Sequence, residues 1–256
     1  MGNNYFDFKH FRVEQNCVSM RVNTDGVLLG AWFSVPQNTS FPSVLDVGTA
    51  TGVIALVAAQ RLSETNAGAF ACEAVEIDLL SCIQAQKNFA ASPWKNQMTV
   101  YHSDYSVFAE EARCRYDVIV SNPPYFNNSL RNPSEARRLA RHTDSLSYSS
   151  LIESSVKLLN TEGHLSVILP QSEFSDFEQT AAEAGGLVAL RKCNVYSKSS
   201  DKDPIRIMAE FYRAAEPVAE KKIAEAPYSK DLCIINSAGD YTPDYKELTK
   251  NFYLKF

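Results

Sequence analysis

The stretch most suited to chemistry in this sequence is SNPPYF, residues 121–126, which directly follows the apolar run DVIV. Prolines lack an N–H donor and restrict φ, so Pro123 and Pro124 predict a stiff turn with accepting carbonyl oxygens. The side-chain oxygen of Asn122 and the carbonyl oxygen of Pro123 match the two donors of an –NH2 group. Tyr125 supplies an aromatic face on which a flat substrate can stack. The turn therefore predicts a site for a planar amine, the alternative being a rigid turn without chemistry.

A glycine-rich turn follows the first predicted core strand and has the sequence DVGTATG, residues 46–52. A turn of this kind lets a ligand approach the backbone close to a helix N-terminus. It resembles the nucleotide turn DxGxGxG of class I S-adenosylmethionine-dependent methyltransferases, with Ala50 in place of the middle glycine. The resemblance implies that Asp46, Gly48 and Gly52 bind S-adenosyl-L-methionine.

Acidic residues end the next two predicted strands. Glu76 and Asp78 follow one strand, where an acid can accept from both ribose hydroxyls of a nucleotide. Asp104 follows the next strand and can accept from an adenine amino group, while Tyr105 can pack beside the adenine ring. The alternative is that these acids are helix N-caps, since Asp favours that position at any strand-to-helix turn.

A predicted S-adenosyl-L-methionine site together with a predicted amine site indicates methyl transfer to an amine. Two acceptors on the N–H groups would push the nitrogen toward a tetrahedral form, with its lone pair aimed at the methyl sulfonium. No general base is needed first, because an exocyclic amine loses its proton after attack. We expect most of the rate to come from alignment and electrostatics.

The alternation of strand-like and helix-like segments from residue 43 predicts an α/β fold with a parallel sheet covered by helices on both faces. The resemblance of the glycine-rich turn implies that this is the Rossmann-like class I methyltransferase fold. Seven strands are expected, at 43–48, 71–78, 98–104, 116–122, 164–170, 187–197 and 205–214. The sheet is expected to be mostly parallel, with the last two strands forming an antiparallel hairpin at its edge. We expect residues 1–42 to form an N-terminal hairpin or cap and residues 43–256 to form the methyltransferase domain, effectively one domain.

Composition narrows the class of protein. The chain has 256 residues and a formal net charge of −5, so a nucleic-acid partner would need a local basic patch. Its six cysteines form no CxxC pair, and none alternates with histidine at metal-ligand spacing, so no metal site is expected. The N-terminus has no apolar leader, and no apolar run approaches the length of a membrane span. We expect a soluble cytoplasmic protein that does not bind a membrane.

The segment after the proline turn, NNSLRNPSEARRLARHT, is basic although the chain as a whole is acidic. A basic cluster beside an amine-holding turn favours phosphate contacts with a nucleic acid. The candidate RNA-binding residues are Arg131, Arg137, Arg138, Arg141 and His142, with Phe126 as a second stacking aromatic. The alternatives are a solvated helix face that pairs with acids elsewhere, and a core position for Phe126.

Six stretches of the chain, in order, resemble the bacterial tRNA1(Val) (adenine(37)-N6)-methyltransferase family. They are FKHFRVEQNCVSMRVNTDGVLLGAW, VLDVGTATGVIALVAAQR, AVEID, SNPPYF, LARHTDSLSYSSLI and YTPDYKELTKNFYLKF. The resemblance implies transfer of a methyl group to N6 of the adenine immediately 3′ of the anticodon in a valine tRNA. It also implies that Thr24 lies over the methionine end of the cofactor. Arg21, where lysine is common, and Ala50 depart from the family pattern.

The NPPY motif itself leaves several planar amines open. They are guanine N2 of rRNA, adenine N6 of DNA and the glutamine amide of a protein. The short segment before the first core strand argues against the glutamine enzymes, which carry a helical domain there. The residues after 122 are mostly needed to complete the sheet, which argues against a DNA enzyme with a target-recognition domain. A non-catalytic RNA-binding module is the alternative from another class, and the intact proline turn argues against it.

Overall fold

The computed structural model describes residues 3–16, 18, 20–36, 39–66, 69–124, 146–214 and 228–256. The strands are β1 Tyr5–Asp7, β2 Arg12–Glu14, β3 Ser43–Val47, β4 Ala71–Glu76, β5 Met98–His102, β6 Tyr116–Ser121, β7 Leu159–Pro170, β8 Leu187–Lys198, β9 Arg206–Arg213 and β10 Tyr228–Ile235. The helices are α1 Thr24–Trp32, α2 Val53–Asn66, α3 Leu79–Ala91, α4 Tyr105–Glu111, α5 Tyr148–Leu158, α6 Gln171–Gly185 and α7 Pro243–Thr249. Within the described ranges, no helix combines the length and the apolar character that crossing a membrane requires.

The main sheet has the strand order β10-β8-β9-β7-β6-β3-β4-β5. The five strands from β7 to β5 are parallel, whereas β9 runs antiparallel to both of its neighbours. The chain moves outward from β3 in one direction and from β6 in the other. The gap between the carboxyl ends of β3 and β6 is therefore the point where ligands bind in folds of this type.

The prediction of a mostly parallel α/β sheet is confirmed, but two of its details were wrong. The sheet has eight strands rather than seven, because β10 pairs in parallel with β8. The antiparallel hairpin of β8 and β9 consequently lies inside the sheet and not at its edge. The sequence of β10, YSKDLCII, interrupts its apolar residues with charges. Charged residues are typical of edge strands and hide the strand pattern.

Side chains on the two faces of the central strands enter two separate cores. Val44 and Val118 belong to the core that also holds α2, whereas Leu45 and Ile119 belong to the core that holds α5. Helices cover both faces of these parallel strands, so side chains on both faces of a central strand are buried, which explains the uninterrupted apolar runs. These buried runs fix the register that places the ends of β3 and β6 side by side.

In the N-terminal segment, β1 and β2 pair antiparallel, and a helix that the sequence did not predict, α1, follows them. Val13 of the hairpin, Leu28 of α1 and Leu56 of α2 are fully buried in one core cluster. The C-terminal tail packs there too, and the Lys9 ammonium group donates to the Phe256 carbonyl oxygen at 2.7 Å. A domain boundary at residue 42 stays a prediction.

Candidate active site

A small cleft lies at the carboxyl ends of β3 and β6. Its lining consists of Met20, Arg21, Asn23 and Gly26 around the start of α1, residues 48–51 of the glycine turn, Val53 and Ile54 of α2, and Asn122. The glycine turn and the first residue of the proline turn, which the sequence predicted as the two ligand sites, therefore line the same cleft. Their proximity follows from the pairing of Val47 with Ser121, the last residues of β3 and β6.

Three residues of the glycine turn have left-handed backbones, with φ of 71° at Gly48, 48° at Ala50 and 83° at Gly52. A Cβ placed on Gly48 would have no atom within 4 Å, so this glycine opens the turn to the cleft. A Cβ on Gly52 would lie 2.6 Å from the Phe89 ring. Gly48 thus fits the predicted ligand-facing position, whereas Gly52 serves the packing of the turn against α3.

The carboxylate of Glu76 links the glycine turn to the end of β4 through hydrogen bonds. Its Oε2 accepts from the Ala50 amide at 2.8 Å, and its Oε1 accepts from the Asp78 amide at 2.9 Å. The side chain is 8% exposed, and burial raises the pKa of Glu76 in spite of these hydrogen bonds. A carboxylate oxygen can accept two hydrogen bonds, so both oxygens of Glu76 retain acceptor capacity for ligand hydroxyls.

Asp46 is fully buried beneath the turn and does not reach the cleft. Its Oδ2 accepts from the Thr49 hydroxyl at 2.6 Å and from the Ala55 amide at 3.1 Å. Its Oδ1 has no hydrogen-bond partner among the described residues. Burial raises the pKa of Asp46 to about 7, and the two hydrogen bonds oppose that shift. Asp46 thus shapes the turn from a buried position through its bonds to Thr49 and Ala55, and its predicted contact with the cofactor stays a prediction.

Asp78 and Asp104 are both helix N-caps, which is the alternative that the sequence left open. Asp78 accepts from the Ser81 amide at 2.8 Å at the start of α3. Asp104 accepts from the amides of Ser106 at 2.8 Å and Val107 at 3.2 Å at the start of α4. These bonds use one carboxylate oxygen of each residue. The second oxygen of each keeps its acceptor capacity, so capping and ligand binding are compatible at both positions.

The Tyr105 ring does not lie where the sequence predicted it. The residue is 4% exposed, packs in the core below α4, and its hydroxyl lies 3.1 Å from the Ser155 hydroxyl. It therefore cannot pack beside a base at the sheet edge. Exposed apolar residues near this edge include Ile77, at 47% exposure, Leu79, at 53%, and Val107, at 49%. Sequence reasoning missed Ile77, although an apolar residue between two acids at a strand end is a usable signal.

Asn122 and Pro123 are buried at the end of β6, and Pro124 is exposed. The Asn122 amide nitrogen lies 4.0 Å from the Met20 sulfur across the cleft. Just before it, the Ser121 hydroxyl donates to the Val47 carbonyl oxygen at 2.9 Å. That bond fixes the last residue of β6 against β3, so the position of Asn122 relative to the glycine turn is set by sheet pairing.

Thr24 is the exposed first residue of α1. The preceding residue, Asn23, caps the helix by accepting from the Gly26 amide at 2.8 Å. Asn23 and Gly26 line the cleft on either side of Thr24. The start of α1 thus borders the cleft, although Thr24 itself is not among the lining residues, and its contact with the cofactor stays a prediction.

The remaining predicted site residues lie outside the described residues. They are Tyr125, Phe126, Arg131, Arg137, Arg138, Arg141 and His142. Their roles stay predictions from the sequence.

Comparison with known proteins assigns the family. Residues 31–178 match the model of the methyltransferase small domain. A tRNA1(Val) (adenine(37)-N6)-methyltransferase of Parabacteroides distasonis is 40% identical over 255 residues, covering 100% of each chain. A protein of the same name from Trichodesmium erythraeum is 40% identical over 258 residues, again covering 100% of each chain.

A solved structure supports the fold alone. A predicted O-methyltransferase of Agrobacterium tumefaciens superposes with a TM-score of 0.61 at 14% identity, covering 89% of this chain and 96% of that chain. The fold, the shared cleft and the full-length relatives agree, and the chain belongs to the tRNA1(Val) (adenine(37)-N6)-methyltransferase family.

Proposed function

We propose that this protein transfers a methyl group from S-adenosyl-L-methionine to N6 of adenine 37 in tRNA1(Val). The observation that carries the proposal is that Asn122 and the glycine turn line one cleft. An amine acceptor and a nucleotide-binding turn must be adjacent if a methyl group is to pass between their ligands. The name of the full-length relatives supports adenine in a valine tRNA over the other planar amines.

The residues around the cleft fit S-adenosyl-L-methionine. Gly48 leaves the turn open, Glu76 retains acceptor capacity for ribose hydroxyls, and Asp104 lies at the end of the neighbouring strand. Ile77 offers an exposed apolar surface between these acids for a flat base. When bound, this cofactor supplies an electrophilic methyl group on a sulfonium.

Asn122 and Pro123 would orient the adenine amine. Their two oxygen acceptors would bind its two N–H groups, which directs the nitrogen lone pair toward the cofactor side of the cleft. Burial of both residues excludes water from this contact and strengthens it. The amine loses its proton after it has acquired the methyl group, so the chain need not supply a general base.

The base would reach the cleft from an anticodon loop, where bases can leave the stack. We propose that Tyr125 stacks on the base, with Phe126 as a second platform. The basic residues Arg131, Arg137, Arg138, Arg141 and His142 would then contact phosphates of the tRNA. Action on tRNA implies the cytoplasm as the compartment.

Replacing Asn122 tests the amine-holding role. We expect Asn122→Ala to lower kcat by about a hundredfold or more, since a positioned acceptor is lost, while cofactor affinity measured by calorimetry changes far less. Asn160→Ala is the matched control, because the Asn160 amide bonds to Asp117 at 2.8 Å away from the cleft. Full activity of Asn122→Ala, or an equal loss in the control, would contradict the role of Asn122.

A further inference from the structure

One buried side chain, that of Asn88 in α3, bonds to two segments that are distant from it in sequence. Its Nδ2 donates to the Thr51 carbonyl oxygen of the glycine turn at 2.8 Å and to the Glu14 carbonyl oxygen of β2 at 2.9 Å. Its Oδ1 accepts from the Glu14 amide at 2.9 Å. Asn88 is 2% exposed, so these bonds are shielded from water. One amide group therefore joins the glycine turn to β2.

The neighbours of Asn88 specify one orientation of its amide. A primary amide has two N–H donors, and each of them meets a carbonyl oxygen. The amide oxygen meets the N–H group of Glu14, with the side-chain nitrogen of Gln84 as a longer contact at 3.5 Å. An exchange of N and O would set the amide oxygen against two carbonyl oxygens, so the arrangement requires an asparagine in this rotamer.

The bond to Thr51 supports the part of the glycine turn with the least favourable backbone. Thr51 lines the cleft and directly follows Ala50, whose φ of 48° is costly for a residue with a side chain. Such conformations persist where surrounding contacts hold them. Two buried acids accept hydrogen bonds from this turn, as described above, whereas Asn88 donates one to it.

The bonds to Glu14 act on another side of the same cleft. Glu14 is the last residue of β2, and the next residue, Gln15, accepts from the Val22 amide at 3.0 Å through its side-chain oxygen. Met20, two residues before Val22, lines the cleft, and its sulfur lies 4.0 Å from the Asn122 amide nitrogen. The place of Met20 beside Asn122 therefore depends on the place of the end of β2.

We propose that Asn88 is a positioning residue for methyl transfer, which fixes the spacing between two sides of the cleft. One side is the glycine turn, where the cofactor binds, and the other carries Met20 beside Asn122. Asn88 is not among the residues that line this cleft, so it acts through Thr51 and Glu14. This inference rests on the proposed function, since it concerns the alignment of the cofactor with the amine.

Asn88→Ala tests the proposal with and without the cofactor. In the cofactor-free protein, we expect hydrogen exchange to become about tenfold faster at residues 48–52 and also at residues 20–23, because bonds to both segments are lost. Calorimetry should show about tenfold weaker binding of S-adenosyl-L-methionine. Kinetics should show a kcat lowered about tenfold by misalignment, with a far smaller change in the KM for tRNA.

Gln15→Ala separates the two sides of the cleft. It removes the bond to Val22 and the bond of the Gln15 side-chain nitrogen to the Asn3 carbonyl oxygen at 2.9 Å, and it leaves the bond from Asn88 to Thr51 in place. We expect faster hydrogen exchange at residues 20–23 only, and a smaller loss of cofactor affinity than in Asn88→Ala. Asn88→Ser carries the same test as Asn88→Ala if the alanine variant does not fold.

Gln60→Ala is the matched control. Gln60 of α2 is also a 2% exposed amide, and it donates to the Asn251 carbonyl oxygen at 3.0 Å and to Glu64 at 3.3 Å. These bonds join α2 to the C-terminal tail. We expect wild-type cofactor affinity and wild-type exchange of the glycine turn in this variant, whatever its unfolding temperature.

Three outcomes would overturn the inference. They are unchanged exchange in either segment of a folded Asn88→Ala variant, wild-type cofactor affinity in that variant, and an equal loss of affinity in Gln60→Ala. The last would show that any lost buried amide weakens the cleft. If the wild type bound the cofactor but methylated no tRNA, the proposed function would fail, while exchange and calorimetry would still test the role of Asn88.

Discussion

Gly52→Ala separates two physical demands on the glycine turn. Gly52 has a φ of 83°, and a left-handed backbone costs an L-residue roughly 1–2 kcal/mol. The new Cβ would also lie 2.6 Å from the Phe89 ring, and overpacking of this kind costs about 1–3 kcal/mol. We therefore expect the free energy of unfolding to fall by about 2–5 kcal/mol, measured by urea denaturation.

Gly48→Ala is the control on the same turn. Gly48 has a φ of 71° but no atom within 4 Å of a new Cβ, so only the backbone cost of roughly 1–2 kcal/mol applies. The new methyl group would instead point into the cleft. We therefore expect this variant to lose more free energy of cofactor binding, measured by calorimetry, than free energy of unfolding. Ala50→Gly relieves a φ of 48° and should raise stability slightly. Equal destabilisation by Gly48→Ala and Gly52→Ala would refute the steric argument.

Two further changes test charges that the structure or the sequence singles out. Burial raises the pKa of Asp46 from 3.8 to about 7, so its contribution to stability is full below about pH 4 and is lost as the pH rises through 7. We expect the difference in the free energy of unfolding between the wild type and Asp46→Asn to change by up to about 4 kcal/mol from about pH 4 to about pH 7, with the wild type losing stability. A difference that does not depend on pH would contradict this expectation. Replacing Arg137, Arg138 and Arg141 with Gln should weaken tRNA binding and flatten its salt dependence, as measured by filter binding. Unchanged binding by that variant would locate the docking surface elsewhere.

The central strands were predictable because they are buried on both faces. A parallel strand between two helical layers needs apolar side chains on both sides, and DVIV before Ser121 is such a run. The positions of the turns followed, since acids, glycines and prolines end these runs. The carboxyl edge of the sheet, and with it the cleft between Gly48 and Asn122, could therefore be inferred from the sequence.

Helix α1 was not predicted, for a reason visible in its packing. Every residue from Gly26 to Trp32 is buried, so the helix lacks the polar face that produces a helical period. It also contains Gly30, which disfavours helix in isolation. In the fold this glycine allows close packing, because a Cβ there would lie 2.9 Å from the Val57 side chain. Tertiary contact decides this element, and local sequence does not show it.

The roles of the acids could not be separated from sequence alone. Asp78 and Asp104 follow strands and precede helices, where capping and ligand binding use the same residue type. Asp46 has the motif position of a ligand contact but is fully buried under the turn. Only the direction of each side chain distinguishes these roles, and that direction depends on neighbours distant in sequence.

The most direct test of the proposed activity is nucleoside mass spectrometry after incubation with labelled S-adenosyl-L-methionine and unmodified tRNA1(Val). Matched substrates are the same tRNA with guanine at position 37, together with rRNA and DNA. We predict labelled N6-methyladenosine at adenine 37 and no label in the substituted tRNA. Label on guanine N2, on DNA or on another tRNA adenine, or no label in any substrate, would contradict the proposed function.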